Sequence, residues 1–252
     1  MDLELLQFPY STFNEKVRWA LDFKGLHYTR RNLLPGPHIA RLKRLTGNTT
    51  TPVLRIGERY IDDSARIIAE LERRFPQPTL YPQDADERAE ALRIQSWIDT
   101  DIGPRTRRGI LHRIIADARY TAELFGEGQP RMIRRLYAVT FPLARGLIRR
   151  GNGITGPASV ADGDEAMVAA LEFAADRTAA TGFCVGGAFS VADLALASIL
   201  AGGANPPGST MDRPRPRPAA LEQWTARWAT HPGMAWVLRM YAEFRPAYRP
   251  AG

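Results

Sequence analysis

Residues 3–8, LELLQF, form an apolar run that is long enough for a strand and too short for a helix, and Pro9 follows it. The period then changes. From about residue 12 to Lys24 the apolar positions Phe13, Val17, Ala20 and Leu21 recur at helical spacing, and Gly25 supplies a stop. HYTRRNLL predicts a second strand; after the Pro-Gly-Pro break at 35–37, HIARLKRL predicts a short helix ending at Gly47. PVLRI and RYI, separated by Gly57 and Glu58, read as a tight hairpin. DSARIIAELERRF closes the segment as a helix that turns Ile67, Ile68, Leu71 and Phe75 inward. The predicted order is strand, helix, strand, helix, strand, strand, helix.

From Pro76 to Asp84, PQPTLYPQD is a proline-rich connector, and every later periodic segment is helical: about 85–101, 104–125, 128–150, 163–181, 190–203, 219–230 and 232–244. The expected fold class is an α/β unit followed by an all-α unit, with domains at 1–76 and 86–252 and a linker at 77–85. Two such units leave a cleft between them, a common place for a small-molecule site. The segment 205–218, NPPGSTMDRPRPRP, alternates arginine with proline and predicts an extended, solvated connector.

Composition narrows the picture. The chain has 252 residues, enough for a sizeable core, and its single cysteine, Cys184, excludes an intrachain disulfide, a CxxC redox pair and a cysteine-based zinc site. No secretion signal or membrane-length apolar run is visible, so a cytoplasmic protein without a membrane partner is expected. The net charge of +7 raises the question of nucleic acid. The excess is spread thinly, +4 over residues 1–76 and +3 over the rest, so no nucleic-acid partner is expected. His27, His112 and His231 lack metal-ligand spacing, and no metal is expected. Trp97 and Trp224 read as core aromatics.

Candidate chemistry gathers in the first unit. Tyr10, Ser11 and Thr12 place three hydroxyls where the first strand gives way to a helix. Thr12 with Glu15 fits a reciprocal capping box, and a hydroxyl at a helix N-terminus also suits an anion, a thiolate included. Thr51-Pro52 precedes a strand, where proline often marks a cis peptide. Asp62-Asp63-Ser64 opens the third helix with residues that favour an N-cap.

Taken together, Ser11, TPVL at 51–54 and DDSARIIAELERRFPQPTLYPQD at 62–84 resemble the cytosolic glutathione transferases. FSVADLALAS at 189–198, with Ser190 and Asp193 as a capping box and Phe189 stapled on Leu194, and WATHPGMAW at 228–236 extend that resemblance over nearly the whole chain. It implies a thioredoxin-like N-terminal domain with a mixed four-stranded sheet, an all-helical bundle C-terminal domain, a homodimer, and glutathione as co-substrate. It also implies roles for particular residues. Ser11 would be the catalytic hydroxyl, donating a hydrogen bond to the glutathione sulfur, which is the nucleophile as thiolate. Thr51 would offer its backbone to the cysteinyl part if the bond to Pro52 is cis. Asp63 and Ser64 would hold the γ-glutamyl end, and His38, Arg41 and Lys43 are candidates for the glycyl carboxylate.

A hydrophobic electrophile would lodge against the helical unit, where Tyr10, Arg105 and Arg108 are candidate pocket residues; Tyr10 is also a rival donor to the thiol. Thr46-Gly47 stands where the family often has Asn-Pro, and Asp63-Ser64 where Glu-Ser is common. Substitution, addition and thiol-dependent isomerisation all use the same activated sulfur. The alternative from another class is a non-catalytic binding or interaction protein that keeps the fold.

Overall fold

The computed structural model describes residues 2–248, so position 1 and positions 249–252 of the expected domains lie outside the described residues. The first part of the chain contains β1 (Leu3–Gln7), α1 (Thr12–Phe23), β2 (Thr29–Asn32), α2 (His38–Thr46), β3 (Val53–Ile56), β4 (Arg59–Asp62) and α3 (Ser64–Arg74). This is the order expected from the hydrophobic pattern. The strands form one mixed sheet in the order β2-β1-β3-β4; β1 runs parallel to β2 and antiparallel to β3, and β4 pairs antiparallel with β3.

β1 is buried at all five positions because helices cover both faces of the sheet. Leu3, Leu5, Leu54 and Ile56 pack with Val17 and Leu21 of α1 and Ile67 and Leu71 of α3. On the opposite face Leu6 and Val53 meet Leu33 and Leu42, the last from α2. Strand alternation sends successive side chains to opposite sides, which is why one short apolar run serves two cores.

The rest of the described chain is helical: α4 (Ala85–Trp97), a π-helical turn (Ile98–Ile102), α5 (Gly103–Ile114), α6 (Ala118–Phe125), α7 (Arg131–Gly151), α8 (Pro157–Thr178), α9 (Val191–Ala204), α10 (Ala219–Ala226) and α11 (Pro232–Phe244). Among the described residues no helix is long and apolar enough to cross a membrane. α9 is buried from Val191 to Gly203. Its sequence is apolar or small on every side, and such a helix is stable only in the centre of a bundle. The expected capping box is present: Ser190 Oγ accepts the Ala192 N–H (3.3 Å), and Asp193 Oδ2 accepts the Ser190 N–H (2.9 Å). Phe189 stacks between Trp19 of α1 (5.6 Å between ring centroids) and Phe244 of α11 (5.0 Å).

Three expectations need correction. The helix predicted over 104–125 breaks after Ile114, because Asp117 caps a new helix by accepting the Tyr120 N–H (2.9 Å). Glu15 takes no part in a capping box with Thr12; Ser11 is the N-cap of α1 and Glu15 is buried among cations. The segment 205–218 is no solvated connector. Met211 and Arg213 within it are buried, Arg213 Nη2 donates to the Gly202 carbonyl (2.7 Å), and Thr210 Oγ1 donates to Glu15 (2.5 Å). Arginine and proline set a local preference for extension, but contact with α1 and α9 decides where the segment lies.

α1 is the joint of the molecule. Asn14 through Asp22 are all buried, polar residues included. Glu15 accepts from Arg18 (2.7 Å) and from Arg245 beyond α11 (2.8 Å), Arg245 reaches on to Asp22 (2.8 Å), and Lys16 pairs with Asp99 of the π-helical turn (2.5 Å). Burial alone would raise the Glu15 pKa, yet Arg245 and Arg18 overcome it and hold the carboxyl at about 2, below its usual 4.5. A depressed carboxylate stabilises the fold fully above the unfolded value and loses that contribution as pH falls through the folded one.

The Glu15 contribution should therefore be complete above about pH 4.5 and disappear toward pH 2. Glu15→Ala leaves buried cations uncompensated and should cost about 3–5 kcal/mol at neutral pH. Urea unfolding at pH 7 and at pH 3 measures both: the gap between parent and variant should narrow at the lower pH.

Candidate active site

At the C-terminal end of β1 the chain turns through Phe8, Pro9 and Tyr10 into α1. Tyr10 has φ +57°, a left-handed conformation that costs a non-glycine residue about 1–3 kcal/mol and gathers at functional sites. Ser11 follows with extended backbone (φ −83°, ψ 128°), and its carbonyl accepts the Glu15 N–H (2.8 Å). Its hydroxyl makes no cap hydrogen bond. The structural role that a serine at this position commonly fills is thus not the one this side chain performs, and Ser11 is one of the residues lining a cavity of about 360 Å³.

That cavity lies between the α/β unit and the helical one. Ser11, Tyr10, His38 and Thr51 line it from one side; Arg107, Ile110, Ile114, Phe125 and Leu147 line it from the other. The peptide bond between Thr51 and Pro52 is cis. Asn14 Nδ2 donates to Thr51 Oγ1 (3.0 Å), tying the turn before β3 to the first turn of α1.

Asp63 and Ser64 lie outside the cavity lining but close to Thr51-Pro52 by sheet register. Val53 pairs with Asp62, so the residues just before β3 and just after β4 emerge side by side. Asp63 has φ +66°, and its Oδ1 accepts the N–H groups of Ala65 (2.9 Å) and Arg66 (3.0 Å), capping α3; Ser64 is the first, buried residue of that helix. His38 begins α2 with Nδ1 accepting the Gly36 N–H (3.0 Å) and its ring edge-on to Phe8 (4.8 Å). Burial pushes its pKa down, which favours the neutral ring.

Tyr10, the rival hydroxyl, also lines the cavity. Burial, with the Glu127 carboxylate near it, pushes its phenol pKa up and keeps the proton on the phenol.

The helical wall differs from the sequence expectation. Arg105 and Arg108 both pair with Asp162 of α8 (2.8 Å each), away from the cavity lining. The arginine on the cavity is Arg107. The signal was present in the sequence: Arg107, Ile110, Leu111 and Ile114 share one face of a 3.6-residue period, while Arg105 and Arg108 lie off that face. Leu147 and Ile148, which reach the cavity from α7, belong to no motif.

A mixed sheet carrying α2 on one face and α1 and α3 on the other, a cis proline before β3 and an appended helical bundle define a class of proteins. Residues 5–79 match the family model described as glutathione S-transferase, N-terminal domain. Glutathione S-transferase Z1 of Arabidopsis thaliana is 33% identical over 115 residues, covering 44% of this chain and 52% of that protein. Maleylpyruvate isomerase of a Ralstonia species is 31% identical over 112 residues, 43% of this chain and 53% of that one. The chain spans about half the length of these curated relatives. Among solved structures, a glutathione S-transferase from Methylobacillus flagellatus with glutathione bound superposes with a TM-score of 0.63 at 16% identity, over 96% of this chain and 95% of the other. The first unit is thus similar to the glutathione S-transferase N-terminal domain, and the fold of the whole chain is that of solved glutathione S-transferases.

Replacing Asp63 separates its local duty from any other. Asp63→Ala removes the acceptor of two helix N–H groups and should cost about 1 kcal/mol, whereas Asp63→Asn keeps an acceptor and should cost less; thermal unfolding of the two variants checks the order.

Proposed function

We propose that this protein is a glutathione-dependent enzyme of transferase or isomerase type, in which Ser11 favours the thiolate of bound glutathione and the cavity holds the electrophile. The observation that carries the reading is Ser11, which stands at the N-terminus of α1, makes no side-chain cap bond and lines a cavity walled by the helical unit. A hydroxyl donor and the positive end of a twelve-residue helix both favour a sulfur anion over the neutral thiol.

In this reading Thr51, ahead of the cis bond to Pro52, offers backbone groups to the cysteinyl portion. Asp63 and Ser64 receive the γ-glutamyl end: a carboxylate for the ammonium, a hydroxyl and the start of α3 for the carboxylate. His38, which lines the cavity, would take the glycyl end, with Arg41 and Lys43 of the same helix as alternatives. The thiolate gives an electron pair to an electrophilic carbon, forming a C–S bond. In substitution the leaving group departs with its own pair. In isomerisation the same bond forms and then breaks after rotation about the former double bond, so the tripeptide is returned unchanged. The names of the relatives, transferase on one side and isomerase on the other, support both outcomes.

The quaternary and cellular readings belong to the proposal too. A homodimer is supported by the superfamily resemblance and by exposed apolar residues on α7, Leu143 and Val139 among them, of a kind that association buries. A cytoplasmic setting is supported by the lone, buried Cys184.

Ser11→Ala tests the reading. It should lower kcat on the order of 10²-fold with a much smaller change in KM for glutathione, and should move the acid limb of the pH–rate profile upward, because the thiolate loses a donor. Equal loss in kcat and affinity would make Ser11 structural. Failure of the parent protein to bind glutathione at millimolar concentration, read by thermal shift, would favour a non-catalytic module.

A further inference from the structure

The cavity is apolar and aromatic over most of its lining, and Arg107 is the one Arg, Lys, Asp or Glu side chain on it among the described residues. Its Nε is buried without a hydrogen-bond partner. No carboxylate among the described residues pairs with the guanidinium, which lies over the ring of Phe13, 5.8 Å from the centroid. Burial and the neighbouring Arg108 both press its pKa downward.

The acids of α8 that meet α5 are already taken. Asp162 serves Arg105 and Arg108, and Asp164 serves Arg113 and Arg227. Arg105, Arg108 and Arg113 of α5 are thus neutralised against α8, while Arg107, on the cavity lining, is not.

Such a group is expensive to keep. A guanidinium does not shed its proton at ordinary pH, and a partly buried cation without an anion is a burden on the fold. It is tolerated where a ligand brings the missing charge. The planar fork suits a carboxylate, which it meets with two parallel hydrogen bonds.

We propose that Arg107 is an anion-recognition residue, and that the second substrate is an apolar, unsaturated or aromatic molecule bearing a carboxylate. Its charge lies against the guanidinium, and its body lies against Ile110, Ile114 and Phe125, on the side of the cavity facing Ser11. This rests on the glutathione-dependent reading only for the word substrate; the recognition itself needs no thiol.

Binding of 3,5-dinitrobenzoate and of its methyl ester, measured by titration calorimetry without glutathione, isolates the charge. The parent protein should bind the carboxylate about tenfold or more tightly than the ester. In Arg107→Met that ratio should fall toward one, and Arg107→Lys should keep part of it as a point charge without the fork. Arg107→Met should also hold or raise the thermal midpoint, since it removes an unanswered cation.

No preference in the parent, whether from equal or undetectable binding, overturns the proposal. So does a variant that loses both ligands together with a lowered midpoint, which would assign Arg107 to the fold. A carboxylate preference that depends on Arg107, found in a protein whose Ser11→Ala variant shows no kinetic defect, would uphold the anion site and sink the glutathione-dependent reading instead.

Discussion

Everything about the site follows from the burial of α1 on all sides. A helix packed against a sheet normally keeps a polar face in water, but here Asn14, Glu15, Lys16, Arg18 and Asp22 are inside the molecule. Each then requires a partner, because a buried polar group without one costs more than a lost hydrogen bond. Many of the partners come from the helical unit and the segments around it: Arg245 for Glu15 and Asp22, Asp99 for Lys16, Thr210 for Glu15. The helical unit is therefore keyed to α1 in one register, and Ser11, at the tip of α1, is held opposite the helical wall by the same interactions.

The price of this arrangement shows in the titration of the keying groups. Burial drives Lys16 downward and Asp99 upward, each toward its neutral form, while their mutual attraction opposes both shifts. Glu15 escapes the same fate because two guanidiniums face it. A polar joint of this kind is weaker evidence for stability than an apolar one of equal size, and its use is orientation: it defines one docked geometry where an apolar surface would accept several. Trp19, stacked on Phe189 and donating Nε1–H to the Phe244 carbonyl (2.8 Å), supplies the apolar share of the same joint.

How much of this the sequence showed depends on the range of the interaction involved. β1, α1, α3 and the Ser190-Asp193 box rest on periods and caps a few residues long, and they stand where the pattern placed them. Ser11 and Asp63 were visible because residues at helix starts carry a local signature, although the signature could not tell a cap from a free hydroxyl. The structure makes that distinction: both residues hold the N-cap position, but the Asp63 side chain accepts helix N–H groups and the Ser11 side chain does not. What escaped was tertiary. Thr12 and Glu15 matched a capping box while Glu15 was bound for Arg245, 230 residues away. The Arg-Pro segment looked solvated because nothing near it in sequence announces that Arg213 will end beside Gly202. Arg107 fell between the two cases, legible by period yet masked by the abundance of arginine around it.

The chemistry of sulfur sharpens the meaning of Ser11. A cysteine in its place would bring a second nucleophile and a route through a mixed disulfide. The chain's single cysteine, Cys184, is buried next to Asp193, and both burial and that carboxylate hold its thiol well above the usual range. It donates its backbone N–H to Asp193 (2.7 Å) and belongs to the packing around the start of α9. No thiolate is thus available from the protein itself. In the proposed reaction the reactive sulfur arrives with the tripeptide, and what the fold contributes is a place where that sulfur is stable as an anion: one unshared hydroxyl, one helix end, and a cavity with little water-like surface to compete for the charge. A hydroxyl is not oxidised or alkylated under the same conditions as a thiol, so in the proposed reaction a serine at position 11 would withstand electrophiles that would inactivate a cysteine there.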